Sequence, residues 1–256
     1  MDLLHREGEE GLHLQYVVAL GKAAVTDGRT VSHGGAMGEV QMKEVGGGVW
    51  TGPAAPRALL ALAHGAGAGM RHTFMEGIAL ALAEAGIASW RWEFPYMQEG
   101  RRRPDRPSVA VPAVRQAVDR ARALAGPLPL FAGGKSFGGR MTSTAAAEAP
   151  LPVQGLVLVG FPLHPARKPS TERADHLARV AHPLLFLQGD RDALAELGLL
   201  RPVAERLGAR LHVVEGADHG FHVLKRSGRR EEEVLEEIAA TAAAWMVAHI
   251  GGRSTV

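Results

Sequence analysis

The chain has 256 residues, which suits one globular domain or at most two small ones, and 46% of them are hydrophobic, enough for a sizeable core. Charged residues are 22% and the formal net charge is +2, too mild for a nucleic-acid binder, whose basic residues gather on one face. There is no cysteine, which excludes disulfides, thiolate metal sites and a cysteine nucleophile, and no run of about 18 apolar residues marks a membrane-spanning helix.

Residues 1–38 read as an N-terminal extension. Acids interrupt the apolar positions at its start, so it does not resemble a signal peptide, and a cytoplasmic location is the expectation. Gly28 to Gly38 is glycine-rich and carries no helical stripe. Met37 is read as the natural start, because the regular pattern begins only after it. Glu39 to Val45 and Val49-Trp50-Thr51 are expected to form an antiparallel edge. Leu59 to Ala63 is a buried-strand candidate. Residues 72–85 follow with helical spacing, placing Met75, Ile78, Leu82 and Ala85 on one stripe before Gly86. Ile87 to Trp92 reads as a strand and Glu93 to Pro107 as a Pro- and Arg-rich loop. Further strands are expected at Leu128 to Ala132, Leu156 to Val159, Pro183 to Leu187 and Leu211 to Val214. Helices fit at 109–125, 137–149, 172–180, 194–207 and 231–248. Residues 39–250 therefore read as a single α/β domain, with 251–256 as a tail. Short, continuously apolar strands alternating with helices predict a mostly parallel, doubly wound sheet covered on both faces. Ligands bind such sheets outside the carboxyl ends of the strands.

The central motif is Gly134-Lys135-Ser136-Phe137-Gly138-Gly139-Arg140, at a predicted strand-to-helix junction. A serine lifted above the sheet on a sharp turn needs small neighbours two residues to either side. The helix that follows points its N-terminus at the hydroxyl, where the dipole favours a developing oxyanion. Ser136 is thus the candidate nucleophile and the Phe137 N–H an oxyanion donor. Gly134-Lys135-Ser136 also matches the end of a phosphate-binding loop, but the first glycine of that motif would fall on Pro129.

A serine of this kind needs a base, and the base an orienting acid, in the chain order serine, acid, histidine. Two aspartates follow the strand at 183–187. Asp192 is favoured as the acid; Asp190 could instead bond loop backbone. His219, in the glycine-flanked loop after the last strand, is the candidate base, ahead of His222 and His212. The second oxyanion donor should come from the loop His64-Gly65-Ala66-Gly67-Ala68-Gly69. Ala66 is the first choice and Gly67 the second, also as a substrate contact, while His64 reads as a loop organiser.

With these residues in place the sequence resembles the α/β-hydrolase superfamily over about residues 40–250. More narrowly it is similar to the dienelactone-hydrolase-like branch. The resemblance is strongest to predicted hydrolases, bacterial ones and the hydrolase-like domain of an NSL-type chromatin-complex subunit. They carry His-Gly-Ala-Gly, Phe-Pro-Tyr-Met and Gly-Lys-Ser-Phe-Gly-Gly-Arg, here His64 to Gly67, Phe94 to Met97 and Gly134 to Arg140. The resemblance implies a Ser136–Asp192–His219 triad. True dienelactone hydrolases use a cysteine, which this chain lacks.

The expected activity is acyl transfer from an ester-like small molecule to water, without metal or cofactor, by a monomer or homodimer. Thioesterase and peptidase chemistry use the same residues, and a binding or scaffolding member of the fold is the alternative. The connection Phe161 to His182 is too short for a large lid. The run Arg101-Arg102-Arg103 with Arg106 reads as solvated surface, and Arg101 is the candidate for drawing in an anionic substrate.

Overall fold

The computed structural model describes residues 40–251. The N-terminal extension, Met37 and residues 252–256 lie outside the described residues. The chain opens with a hairpin, β1 (Val40–Val45) and β2 (Gly48–Pro53), joined by Gly46 and Gly47 at φ +63° and +77°. Two consecutive positive φ values match the right-handed twist of the flanking strands, and only residues without a Cβ adopt them cheaply. Strands β3 (Leu59–Ala63) and β4 (Ala88–Trp92) bracket helix α1 (Thr73–Glu84). A one-turn helix α2 (Pro95–Gln98) and the long α3 (Pro107–Ala125) lead to β5 (Leu130–Lys135). Then come α4 (Phe137–Glu148), β6 (Leu156–Val159), an eight-residue 3₁₀ segment (Glu172–Arg179) and β7 (Leu184–Gly189). Helix α5 (Leu197–Arg206), β8 (Arg210–Val214), a short 3₁₀ turn (Lys225–Ser227) and α6 (Glu231–Ala248) complete the described chain.

The eight strands form one sheet in the order β1-β2-β4-β3-β5-β6-β7-β8, antiparallel at β1–β2–β4 and parallel from β4 to β8. Every residue of β3, β5, β6 and β7 is buried, as expected of strands covered on both faces. One apolar layer packs α3, α4 and α5 against Trp90, Trp92 and Phe186. The other packs α1 and α6 against Leu60, Leu62 and Phe131. From β3 the chain crosses first to β4 on one side and then to β5 on the other. The carboxyl ends of β3 and β5 therefore flank the switch point at which such sheets bind ligands.

Several details depart from the predicted elements, the one-turn α2 inside the expected loop among them. Strand β5 runs through Gly133, Gly134 and Lys135 rather than ending at Ala132. The expected helix at 172–180 is a 3₁₀ segment. Helix α5 starts at Leu197 instead of 194, because the Asp192 carboxylate captures the Leu194 N–H at 2.7 Å and holds that stretch as a loop. The connection between β6 and β7 contains only the 3₁₀ segment, so no large lid covers the sheet.

Candidate active site

Ser136 follows the last residue of β5 and precedes α4, with φ +50° and ψ −112°. A side chain in that region carries about 1–3 kcal/mol of backbone strain. The crowding around it explains the glycines. A Cβ on Gly134 would lie 2.5 Å from the Ala63 carbonyl oxygen, and one on Gly138 would lie 2.6 Å from the carbonyl oxygens of both Ala63 and His64. The turn is pinned from below, since the Ser136 N–H donates to the Val159 carbonyl at 2.8 Å.

The loops after β7 and β8 bring two further side chains to this hydroxyl. His219 Nε2 lies 2.9 Å from Ser136 Oγ, and His219 Nδ1 lies 2.7 Å from Asp192 Oδ2. Asp192 is buried; its Oδ1 accepts the Leu194 N–H, and Oδ2 also accepts from Gln188 Nε2. A carboxylate so engaged accepts at Nδ1, which fixes Nδ1–H and leaves Nε2 to take a proton from the serine. Asp190 is exposed and its Oδ1 accepts the Gly216 N–H at 2.8 Å, tying the acid loop to the histidine loop. Of the two aspartates, Asp192 is the one hydrogen-bonded to His219. On β8, His212 pairs with Glu237 of α6, and His222 is largely exposed beside Asp218.

On the other side of Ser136 lies the loop after β3. Ala66 lines the same cavity as Ser136 and His219. Among the described residues the Ala66 and Phe137 N–H groups have no hydrogen-bond partner, as expected for Phe137 in the first turn of a helix. The Gly67 N–H is engaged, donating to Tyr96 Oη at 3.3 Å, and Gly67 is not among the cavity-lining residues. Tyr96 Oη in turn donates to the Gly65 carbonyl at 3.4 Å. Tyr96 is fully buried, and burial pushes its phenol up, keeping the donor proton in place. His64 braces the same loop. Its Nδ1 reaches the Gly65 carbonyl at 2.8 Å and its Nε2 the Phe94 N–H at 3.1 Å. Because a carbonyl only accepts and an amide N–H only donates, the ring is the neutral Nδ1–H tautomer. Burial holds its pKa below the usual value. Deeper still, fully buried Arg91 donates to the Met70 carbonyl at 2.9 Å.

Arg101, the candidate for drawing in an anionic substrate, is exposed. It does not line the cavity; its guanidinium bonds Glu99 at 2.6 Å and Asp105 at 2.9 Å. Asp105 accepts the Tyr96 N–H at 3.0 Å. The residue therefore ends a strut, Arg101–Asp105–Tyr96, that reaches the loop beside Ser136. The Asp four positions after Arg101 was the available signal. Sequence reasoning also passed over Lys135, whose buried ammonium donates to the His219 carbonyl at 2.6 Å. A lysine at the end of a continuously apolar strand was the clue.

The cavity beside Ser136 has a volume of about 410 Å³, and its walls include Phe74, Met75, Leu194, Phe221 and Leu235. Among the described residues no group of three or more His, Cys, Asp or Glu side chains is placed to hold a metal, and no helix is long and apolar enough to cross a membrane.

Comparison with known proteins agrees with this architecture. The family model described as alpha/beta hydrolase domain matches residues 56–247, and the chain belongs to that family. Three solved structures illustrate the fold. An α/β serine hydrolase homologue from Coxiella burnetii shares 19% identity at a TM-score of 0.61, covering 86% of this chain and 99% of that one. A dienelactone hydrolase from Anabaena variabilis shares 20% identity at 0.60, covering 89% and 97%. XC6422 from Xanthomonas campestris, described as an α/β serine hydrolase without lid, shares 19% identity at 0.58, covering 84% and 97%.

Proposed function

We propose that the chain is a serine hydrolase of ester-like acyl bonds. The observation that carries this reading is the unbroken hydrogen-bonded line Ser136–His219–Asp192, in which Ser136 stands on a strained turn at the head of a helix. His219 Nε2 removes the hydroxyl proton as Ser136 Oγ attacks the substrate carbonyl. The Phe137 and Ala66 N–H groups receive the oxyanion of the tetrahedral intermediate. His219 returns the proton to the leaving alcohol, and Ser136 keeps the acyl group. Water, deprotonated by the same imidazole, attacks the ester; collapse releases the acid and restores the serine. Asp192 keeps the ring in the required tautomer and stabilises the imidazolium.

The substrate is read as a compact small molecule. A cavity of about 410 Å³ with mostly apolar walls suits a short acyl or aryl group, and the absence of a large lid leaves long lipid chains uncovered. No step of this reading calls on a metal or cofactor, and the cytoplasm is its proposed setting. Hydrolysis of p-nitrophenyl acetate, butyrate and palmitate by wild type and Ser136→Ala tests it. The two short esters should turn over well and palmitate poorly. Ser136→Ala should lose about 10⁴–10⁶ in kcat. Equally weak, background-level rates for wild type and Ser136→Ala would leave only a binding or scaffolding role.

A further inference from the structure

Lys135 is the one buried lysine among the described residues, and the mechanism above does not use it. It ends β5, immediately before the nucleophile. Its Nζ donates to the His219 main-chain carbonyl at 2.6 Å, spanning 84 positions of sequence. The rest of the ammonium faces aromatic rings. Nζ lies 5.7 Å from the Phe74 centroid and 5.4 Å from the Phe221 centroid, and those rings stack on each other at 5.6 Å. No carboxylate among the described residues is in ion-pair contact with it. A buried cation without a salt-bridge partner is a burden on folding that a methionine of similar length would not impose. The backbone it grips is itself unusual, because Phe221, two residues beyond His219, sits at φ +67°.

We propose that Lys135 is a positioning residue for the proposed hydrolase: its ammonium clamps the His219 main chain so that the imidazole stays within reach of both Ser136 and Asp192. The inference rests on the proposed triad and adds a part to it. The clamp is strongest when charged, since a charged donor bonds a carbonyl more tightly than a neutral amine. Burial, partly opposed by Asp192 and Asp218, pushes the Lys135 pKa down to about 8. The charged and titratable groups around it are Asp192 and Asp218 from the acid and histidine loops and His219 itself. His72 before α1, and His222 and Glu231 on the side of α6, line the same cavity. The clamp should weaken as pH rises past about 8.

The test is Lys135→Met in the full chain, with kcat and KM on p-nitrophenyl butyrate, the melting temperature, and the NMR signal of the His219 Nδ1 proton. The expected result is a kcat loss of about 10–100-fold, KM within about twofold, and a melting temperature equal to or above wild type. The alkaline fall in wild-type kcat should be absent from the variant, and the sharp downfield Nδ1 proton of wild type should broaden. An unchanged kcat with an unchanged Nδ1 signal would overturn the proposal. A kcat loss accompanied by a lower melting temperature would do so too, because it marks a merely structural role. If Lys135→Met does not fold, the wild-type Nδ1 signal decides. It should broaden between pH 7 and 10, and constancy over that range overturns the clamp. Should wild type hydrolyse nothing, the hydrolase reading fails, while the melting temperature and the Nδ1 signal still judge the clamp.

Discussion

The two sides of the Ser136 hydroxyl are held in opposite ways. On the histidine side the parts stand in series. Asp192 holds one nitrogen of His219 and the other faces Ser136. On the oxyanion side the parts stand in parallel. His64 and Tyr96 both hold the Gly65 carbonyl, and Arg91 holds the same loop at Met70. A series fails when any member is lost, whereas a braced loop only loosens when one brace goes. In the proposed mechanism side chains carry the proton on one side, and backbone N–H groups, which only a proline would remove, receive the charge on the other.

The largest effect that can break this contrast is on the series side. Asp192→Asn should lower kcat by about 10⁴ with a folded protein, because the wrong tautomer of His219 is favoured. Asp190→Asn, which touches only the Gly216 N–H, should change kcat by less than about tenfold. Steady-state kinetics of the pair decides, and equal losses would contradict the separation of the two aspartates.

The oxyanion side should respond more mildly. Tyr96→Phe removes both hydrogen bonds to the Gly65–Gly67 segment and should lower kcat by about tenfold with little change in KM. Arg101→Ala, one step further along the strut, should cost less than about threefold, as surface ion pairs contribute little. It should also cost anionic and neutral esters equally. A selective loss on the anionic ester would give Arg101 a steering role.

Acid gives the smallest and most gradual effect. Burial holds His64 below its usual pKa, and His176 is pushed down to about 4 by burial and by the charges of Arg140 and Arg179. Both rings are neutral in the fold, so the unfolded chain binds protons first as pH falls. The ordinary histidine value is about 6.5. Their stabilising contribution is therefore complete above about pH 6.5 and drains away as pH falls toward the folded values. The melting temperature should be several degrees lower at pH 5 than at pH 7.5. Protonating His64 would set a new donor against the Phe94 N–H, so the oxyanion loop loosens within the same window. Scanning calorimetry across that range checks the slope, and His176→Asn should flatten it.

Most of the fold was legible because buried parallel strands advertise themselves as short, continuous apolar runs. The strand ends were less so. The strand candidate at Leu128 to Ala132 stops where the apolar run stops, and glycine is a poor strand former. Gly133 and Gly134 extend β5 all the same, and the Val157 and Ala63 carbonyls leave no room there for a Cβ. Asp192 and His219 could be placed by order and loop position, which depend only on chain direction. Tyr96, Asp105 and Lys135 could not, because their roles arise from contacts across 31, 9 and 84 positions. Periodicity reports which face is buried; it does not report which distant carbonyl a buried polar group meets. The run from Arg101 to Arg106 showed its charge in the sequence, but not the pairing of Arg101 with Glu99 and Asp105.

The central claim is that the strained Ser136 hydroxyl, activated by His219, is the nucleophile. A fluorophosphonate probe followed by peptide mass spectrometry tests it most directly. A single adduct is expected on the peptide containing Ser136, formed rapidly by wild type, about 10³-fold or more slowly by His219→Ala, and not at all by Ser136→Ala. An adduct on another serine, or labelling that survives Ser136→Ala, would contradict the account.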